Sequence, residues 1–169
     1  QYASLAVPMI SLIKRGQFRV LFGRLQGKLA AQRFDKQHPS GKSSVAALTY
    51  SHKYTLRSMP QISDKTYNLA ISFLTPHYFV RERVSARKYA AWIHTDYTAL
   101  SLDRTAELAM WGRYDAICGV SEQASKGFQA TFPELADKVQ TIENILPKKL
   151  ICKQAEESQT DMPSDGSTA

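Results

Sequence analysis

The sequence has few cysteines and no long apolar run. Its 169 residues include only Cys118 and Cys152, and neither has a histidine at the spacing of a zinc site. This scarcity argues against a disulfide framework and favours a reducing, cytoplasmic compartment. The apolar segment 2–13 is too short to span a bilayer, and its basic pair, Lys14-Arg15, follows the segment instead of preceding it as in a signal peptide.

Acidic residues are almost absent from the first third of the chain. Residues 1–60 contain ten Lys and Arg but one acid, Asp35, so this part carries a net charge of +9 while the remainder carries −2. Such a distribution favours an anionic partner, and solvated helix surfaces explain it equally well. Because the sequence contains no RNA-binding aromatic signature or zinc finger, we do not expect nucleic acid as a partner.

The length and the 43% hydrophobic content fit one ordinary core. The sequence predicts a basic helical segment over 1–60, an α/β core over 61–147 and a polar linker over 148–169. The chain begins at Gln1 and ends in a polar stretch, which suggests that it is cut from a longer protein.

Apolar residues at helical spacing predict helices over 3–15, 17–33 and 44–59. In the second helix the bases Arg19, Arg24 and Lys28 lie mostly off the apolar stripe, which makes that helix amphipathic and basic. Two accounts of the stripe are open: it packs on the sheet, or residues 3–33 lie against an anionic membrane. The stripe consists of Phe18, Leu21, Phe22, Leu25 and Leu29.

The pattern then changes to short apolar runs that alternate with helical segments. Strands are predicted over 67–73, 88–93, 115–120 and 138–142, with a loop and helix over 76–84 and helices over 103–112 and 122–132 between them. Right-handed crossovers between such strands imply an α/β fold with a Rossmann-like parallel sheet and helices on both faces, preceded by the helical segment.

Polar residues follow three of these strands where each strand ends. In open parallel sheets, ligands bind in the crevice outside the carboxyl ends of the strands. We therefore expect these residues to line one ligand-binding cleft. They are His77 after the first strand, His94, Thr95, Asp96 and Tyr97 after the second, and Ser121 and Glu122 after the third.

Three segments, YNLAISFL, AAWIHTDYTALSLD and YDAICGVSEQASKGFQATFPELADKVQTIENIL, resemble in order and spacing the amino-terminal domain of bacterial family 4 glycosyltransferases, which have the GT-B fold. The resemblance covers residues 67–147. It implies transfer of a sugar from a nucleotide-sugar donor to a saccharide or lipid-linked acceptor in cell-surface polysaccharide synthesis, without a cofactor or metal. The enzyme would work in the cytoplasm or on the inner face of the cytoplasmic membrane. In relatives the donor-binding domain follows this region, so the fragment alone is expected to be inactive.

The resemblance also implies roles for single residues. His94 matches a histidine beside the transferred sugar and diphosphate, where an imidazole can bond a hydroxyl or offset charge on the leaving phosphate. Asp96 is either a general base or the cap of a turn. His77, Thr95 and Tyr97 are assigned to acceptor binding.

Ser121 and Glu122 start a predicted helix whose free N–H groups suit a phosphate. Ser121 also suits an N-cap, and Glu122 suits a first-turn acid that complements the helix dipole. Two other functions remain open for the chain: a basic module that binds a membrane surface or another anionic ligand, and another Rossmann-type nucleotide-sugar enzyme such as an epimerase.

Overall fold

The computed structural model describes residues 9–74, 77–145 and 147–157. Its helices are α1 (Met9–Lys14), α2 (Phe18–Gln37), α3 (Ala46–Thr55), α4 (His77–Arg83), α5 (Arg104–Trp111), α6 (Glu122–Thr131) and α7 (Lys148–Glu157). The strands are β1 (Ser43–Ser44), β2 (Thr66–Ser72), β3 (Ser85–Ile93), β4 (Leu100–Ser101), β5 (Ala116–Gly119) and β6 (Val139–Thr141). Short 3-10 helices cover Leu56–Ser58, Tyr97–Ala99 and Pro133–Lys138.

The main sheet is parallel and has the strand order β2-β3-β5-β6. This arrangement confirms the predicted α/β class and the Rossmann-like parallel sheet. A second, two-stranded parallel sheet joins β1 to β4. Strand β3 begins at Ser85, three residues before the predicted start, because Ser85 pairs with Thr66 of β2. Ser85 is polar, so the apolar pattern of the sequence does not indicate this pairing.

The core lies on one face of the main sheet. The strand order advances in a single direction, and successive right-handed crossovers then place their helices on the same face. Between the strands and helices α5 and α6 lies a cluster of buried side chains: Ala70, Tyr89, Ala91, Ile93, Ile117, Met110, Trp111, Phe128 and Phe132.

The other face of the main sheet carries partly exposed apolar side chains on β2. Four large side chains of β2 and its end, Tyr67, Leu69, Ile71 and Phe73, are between 41% and 51% exposed. Strand β2 is an edge strand of this sheet.

Helix α2 packs on α3 through its small residues. A Cβ added at Gly23 would lie 2.7 Å from the Tyr54 carbonyl oxygen, and one added at Gly27 would lie 2.9 Å from the backbone of Ser51. The two helix backbones therefore approach more closely than larger residues would allow. The buried residues of α2 are Val20, Gly23, Arg24, Gly27 and Ala31.

This packing corrects two expectations about the helix. Of the two accounts of the stripe, packing on the sheet is not observed, because four of its five residues, Phe18, Phe22, Leu25 and Leu29, are between 42% and 62% exposed, while Leu21 is half-buried. Arg24, expected off the stripe among the basic surface residues of this helix, is only 6% exposed and lies among the buried residues of α2.

The predicted helix over 3–15 is confirmed for residues 9–14, and residues 3–8 lie outside the described part. Residues 148–157, predicted as the start of a polar linker, form α7. The described side chains of α7 are exposed.

Candidate functional site

A pocket of about 260 Å³ lies at the carboxyl ends of β2 and β3, where α3, α4 and α5 meet the sheet. Its apolar lining consists of Val45, Leu48, Leu74, Trp92, Ile93, Leu100 and Met110. Its polar lining consists of Thr49, His52, His77, Tyr78, His94, Thr95, Tyr97 and Glu107. Four residues predicted for the site, His77, His94, Thr95 and Tyr97, thus meet in one cavity.

His94 and Thr95 follow β3 and are exposed at the pocket. The His94 ring stands nearly perpendicular to the ring of Phe73, with 4.7 Å between the centroids. Phe73 follows β2, the neighbouring strand. The ends of two adjacent strands therefore place this imidazole.

His77 is the first residue of α4, and its ring is buried. Its Nδ1 lies 2.8 Å from the hydroxyl oxygen of Ser72 at the end of β2, and its ring centroid lies 4.5 Å from that of Trp111. The Tyr114 hydroxyl donates a hydrogen bond of 2.7 Å to the His77 carbonyl oxygen. Burial lowers the pKa of His77 to about 4, so its ring is neutral at pH 7.

His52 is a pocket residue that sequence reasoning missed. It lies on α3 and is only 6% exposed, and burial lowers its pKa to about 4. The +9 charge of segment 1–60 predicts surface helices and does not indicate a buried imidazole. The available signal was the spacing of Thr49 and His52, three residues apart and thus on one face of a helix.

Glu107 on α5 is the second pocket residue that sequence reasoning missed. One carboxylate oxygen accepts a hydrogen bond of 2.8 Å from the Thr49 hydroxyl, and the other accepts one of 3.0 Å from the Trp111 ring N–H. Burial raises the pKa of Glu107, although both hydrogen bonds act in the opposite direction. This carboxylate joins α3 to α5 behind the pocket.

Tyr97 lines the pocket, and its ring packs against the core. Its ring centroid lies 5.0 Å from that of Phe128 and 6.0 Å from that of Trp111, both in perpendicular contacts. Burial raises the pKa of its hydroxyl above the ordinary value. Tyr97 therefore has a structural role in addition to any contact with a ligand.

Asp96 does not line the pocket. Its Oδ1 accepts hydrogen bonds from the backbone N–H of Thr98 at 2.9 Å and from the Thr98 hydroxyl at 2.7 Å, as the cap of a short 3-10 helix. These bonds lower its pKa. The carboxylate instead borders a shallow groove with Gln123 and Lys126 of α6.

Ser121 and Glu122 also lie outside the pocket. Ser121 caps α6, and its hydroxyl oxygen accepts a hydrogen bond of 3.2 Å from the backbone N–H of Ala124. Glu122 is exposed and forms an ion pair of 2.9 Å with Lys126 one turn later. The cap and the first-turn acid are therefore present as the sequence predicts.

The pocket combines apolar walls with hydrogen-bonding groups. Neutral rings of His52 and His77, the hydroxyl of Thr95 and the side chain of Trp92 suit a ligand that has both hydroxyls and an apolar face. Within residues 9–74, 77–145 and 147–157, no three His, Cys, Asp or Glu side chains form a group that could hold a metal ion.

No protein-family model, curated protein or solved structure matches the chain. Among the helices of the described ranges, none has the length and apolar character needed to cross a bilayer.

Proposed function

We propose that the chain is the acceptor-binding part of a glycosyltransferase that transfers a sugar from a nucleotide sugar to a saccharide or lipid-linked acceptor in bacterial cell-surface polysaccharide synthesis. In this proposal a further domain binds the donor, as the resemblance to family 4 enzymes implies. The protein works in the cytoplasm, at the inner face of the cytoplasmic membrane when the acceptor is lipid-linked.

The observation that carries the proposal is the meeting of His77, His94 and Thr95 in one cavity at the carboxyl ends of two parallel strands. A sugar ring presents hydroxyls around its edge and C–H groups on its faces. Imidazole and hydroxyl groups pair with the former, and the apolar wall around Trp92 packs on the latter.

The size of the pocket supports a small ligand. Its volume of about 260 Å³ is below the roughly 300–1,000 Å³ of sites for drug-sized molecules, which suits one monosaccharide unit at a time. Longer acceptors would place a terminal sugar in the pocket and leave the remainder outside.

His94 takes the reacting position in this proposal because it is the exposed histidine at the mouth, while His52 and His77 are buried behind it. It donates or accepts a hydrogen bond at a sugar hydroxyl or offsets charge on the leaving phosphate. Asp96 receives no catalytic role, since its carboxylate is engaged by Thr98 away from the pocket.

Titration of the 169-residue chain with monosaccharides and disaccharides, followed by NMR, tests the proposal. Saturable shifts are expected in the ring signals of His77 and His94 and in the amide of Thr95. His94→Ala should weaken binding by about tenfold, the scale of one lost hydrogen bond to a ligand. The matched control is His38→Ala, an exposed histidine outside the pocket that should leave binding unchanged.

The alternatives give different results in the same titration. If nucleotide sugars shift these signals and no free saccharide does, the chain binds a donor and the epimerase-type function is favoured. If neither class of ligand shifts them, the acceptor-binding proposal is wrong.

A further inference from the structure

Helix α2 has an unusual distribution of side chains. Its small residues face α3, and its large apolar residues, Phe18, Phe22, Leu25 and Leu29, are turned outward. We call these four residues the outward stripe. In water-soluble helices the large apolar side chains normally face the core, whereas helices packed through glycines with large residues outward are typical of a lipid environment.

The geometry of α2 makes the outward stripe continuous. At 3.6 residues per turn its four side chains fall within an arc of about 60°, and they span about 17 Å of helix. Gly23 and Gly27 lie on the opposite side of the helix. Two more exposed apolar residues, Ile10 and Ile13 on α1, precede the stripe.

Basic side chains flank the outward stripe. By the same helical geometry Arg19 lies about 90° to one side of it and Lys28 about 90° to the other. Both are exposed, as are Lys14 at the end of α1 and Arg15 directly after it. The only acid of α2, Asp35, lies beyond the stripe and accepts a hydrogen bond of 2.6 Å from Ser44.

We propose that this surface of α1 and α2 binds an anionic lipid bilayer, with the outward stripe inserted at the boundary between headgroups and acyl chains and the flanking bases on lipid phosphates. Charge complementarity selects this occupant. A second copy of the chain on the same surface would bring its bases against those of the first, whereas an anionic leaflet offers opposite charge. The surface stands apart from the pocket and deepens the proposed function by supplying a site of attachment near a lipid-linked acceptor.

Vesicle flotation of the 169-residue chain tests the proposal. At low salt the protein should bind vesicles of phosphatidylcholine with 30% phosphatidylglycerol about tenfold or more tightly than pure phosphatidylcholine. The double variant Phe22→Ser/Leu25→Ser should lower binding to the anionic vesicles by more than about tenfold. Its matched control, Ile62→Ser/Ile145→Ser, removes two exposed apolar residues elsewhere and should bind as the wild type does.

The basic residues are tested separately. Arg19→Gln/Lys28→Gln should reduce binding by about tenfold, because each base near an anionic leaflet contributes to attachment. The matched control, Lys65→Gln/Lys149→Gln, has the same net charge as Arg19→Gln/Lys28→Gln but changes exposed bases outside α1 and α2. It should therefore bind the anionic vesicles several-fold more tightly than the Arg19/Lys28 variant.

Three results would overturn the membrane proposal: equal binding to both vesicle types, unchanged binding by the Phe22/Leu25 variant, or equal binding by the two charge variants. A sedimentation experiment adds a fourth. If the wild type is a dimer in solution that the Phe22/Leu25 variant makes monomeric, the surface joins two copies instead. Saccharide-induced shifts in the pocket do not depend on vesicles, so the failure of either proposal can be recognised without the other.

Discussion

Helices of the α2–α3 pair and of the α/β layer, which consists of the main sheet with α5 and α6, bury different kinds of side chain. In the layer, α6 buries Phe128 against the sheet, while α2 buries Gly23 and Gly27 against α3 and exposes Phe22. Both helices have apolar residues at helical spacing in the sequence. The difference teaches that periodicity identifies the faces of a helix, whereas the partner of the helix decides which face is buried.

The two regions also differ in what holds them together. Large aromatic rings fill the layer: Trp111, Tyr114, Phe128 and Phe132 are each at most 1% exposed. The α2–α3 pair depends on close approach of two backbones, which requires the absence of side chains at two positions. The first region should be sensitive to the loss of side-chain volume and the second to its gain.

The largest expected effect comes from truncating one phenylalanine in each region. Phe128→Ala should lower the free energy of unfolding by about 3–5 kcal/mol, because it leaves a cavity among buried rings. Phe22→Ala should change it by less than about 0.5 kcal/mol, because that ring is already exposed. Denaturant unfolding measures both, and equal costs would show that α2 buries its stripe in solution.

The pocket lies where the two regions meet, and acid should weaken that junction. Burial lowers the pKa of His52 on α3 and of His77 on α4 from 6.5 to about 4. Between these values the unfolded chain binds more protons than the folded one, so stability falls as the pH falls from 6.5 to 4. The loss is at most about 3 kcal/mol for each histidine.

His52→Gln removes a group that can take up a proton. The free energy of unfolding of this variant should therefore fall less than that of the wild type as the pH is lowered from 7 to 4. The difference in unfolding free energy between wild type and variant should therefore shrink as the pH is lowered from 7 to 4. Glu107 acts in the opposite sense, because its raised pKa favours proton uptake by the folded state. Parallel profiles for the two proteins would contradict burial of an uncharged His52.

The sequence predicts those features that depend on residues close to one another along the chain. The four strands of the main sheet, the strand-end positions of His94 and Thr95 and the cap at Ser121 all follow from local pattern and are found in the structure, whereas the two-residue strands β1 and β4 are not predicted. The contact of Thr49 with Glu107 joins residues 58 positions apart, and no local pattern indicates it. The missed signal in α2 was the pair of glycines four residues apart, which marked the buried face more reliably than the phenylalanines did.

An alanine at Gly27 tests the close approach of α2 and α3. In an exposed helix Gly→Ala stabilises by up to about 1 kcal/mol. Here the new Cβ would lie 2.9 Å from the backbone of Ser51, so Gly27→Ala should instead lower the free energy of unfolding by about 1–3 kcal/mol. Gly41→Ala, whose Cβ would have no atom within 4 Å, is the control and should change stability little. A stabilising Gly27→Ala would mean that the helices are further apart than described.

The smallest expected effect separates two roles of Ser121. Ser121→Ala removes the hydrogen bond to the Ala124 N–H and should lower the free energy of unfolding by about 1 kcal/mol. Ser121→Asp retains an acceptor for that N–H and adds a charge that complements the helix dipole, so it should keep the stability of the wild type. The same charge would repel a phosphate at the start of α6. Titration of both variants with a nucleoside diphosphate therefore decides between the roles. If Ser121→Asp is as stable as the wild type and binds the diphosphate equally well, Ser121 is a cap alone. If this variant is stable but binds the diphosphate more weakly, the phosphate lies at the helix start.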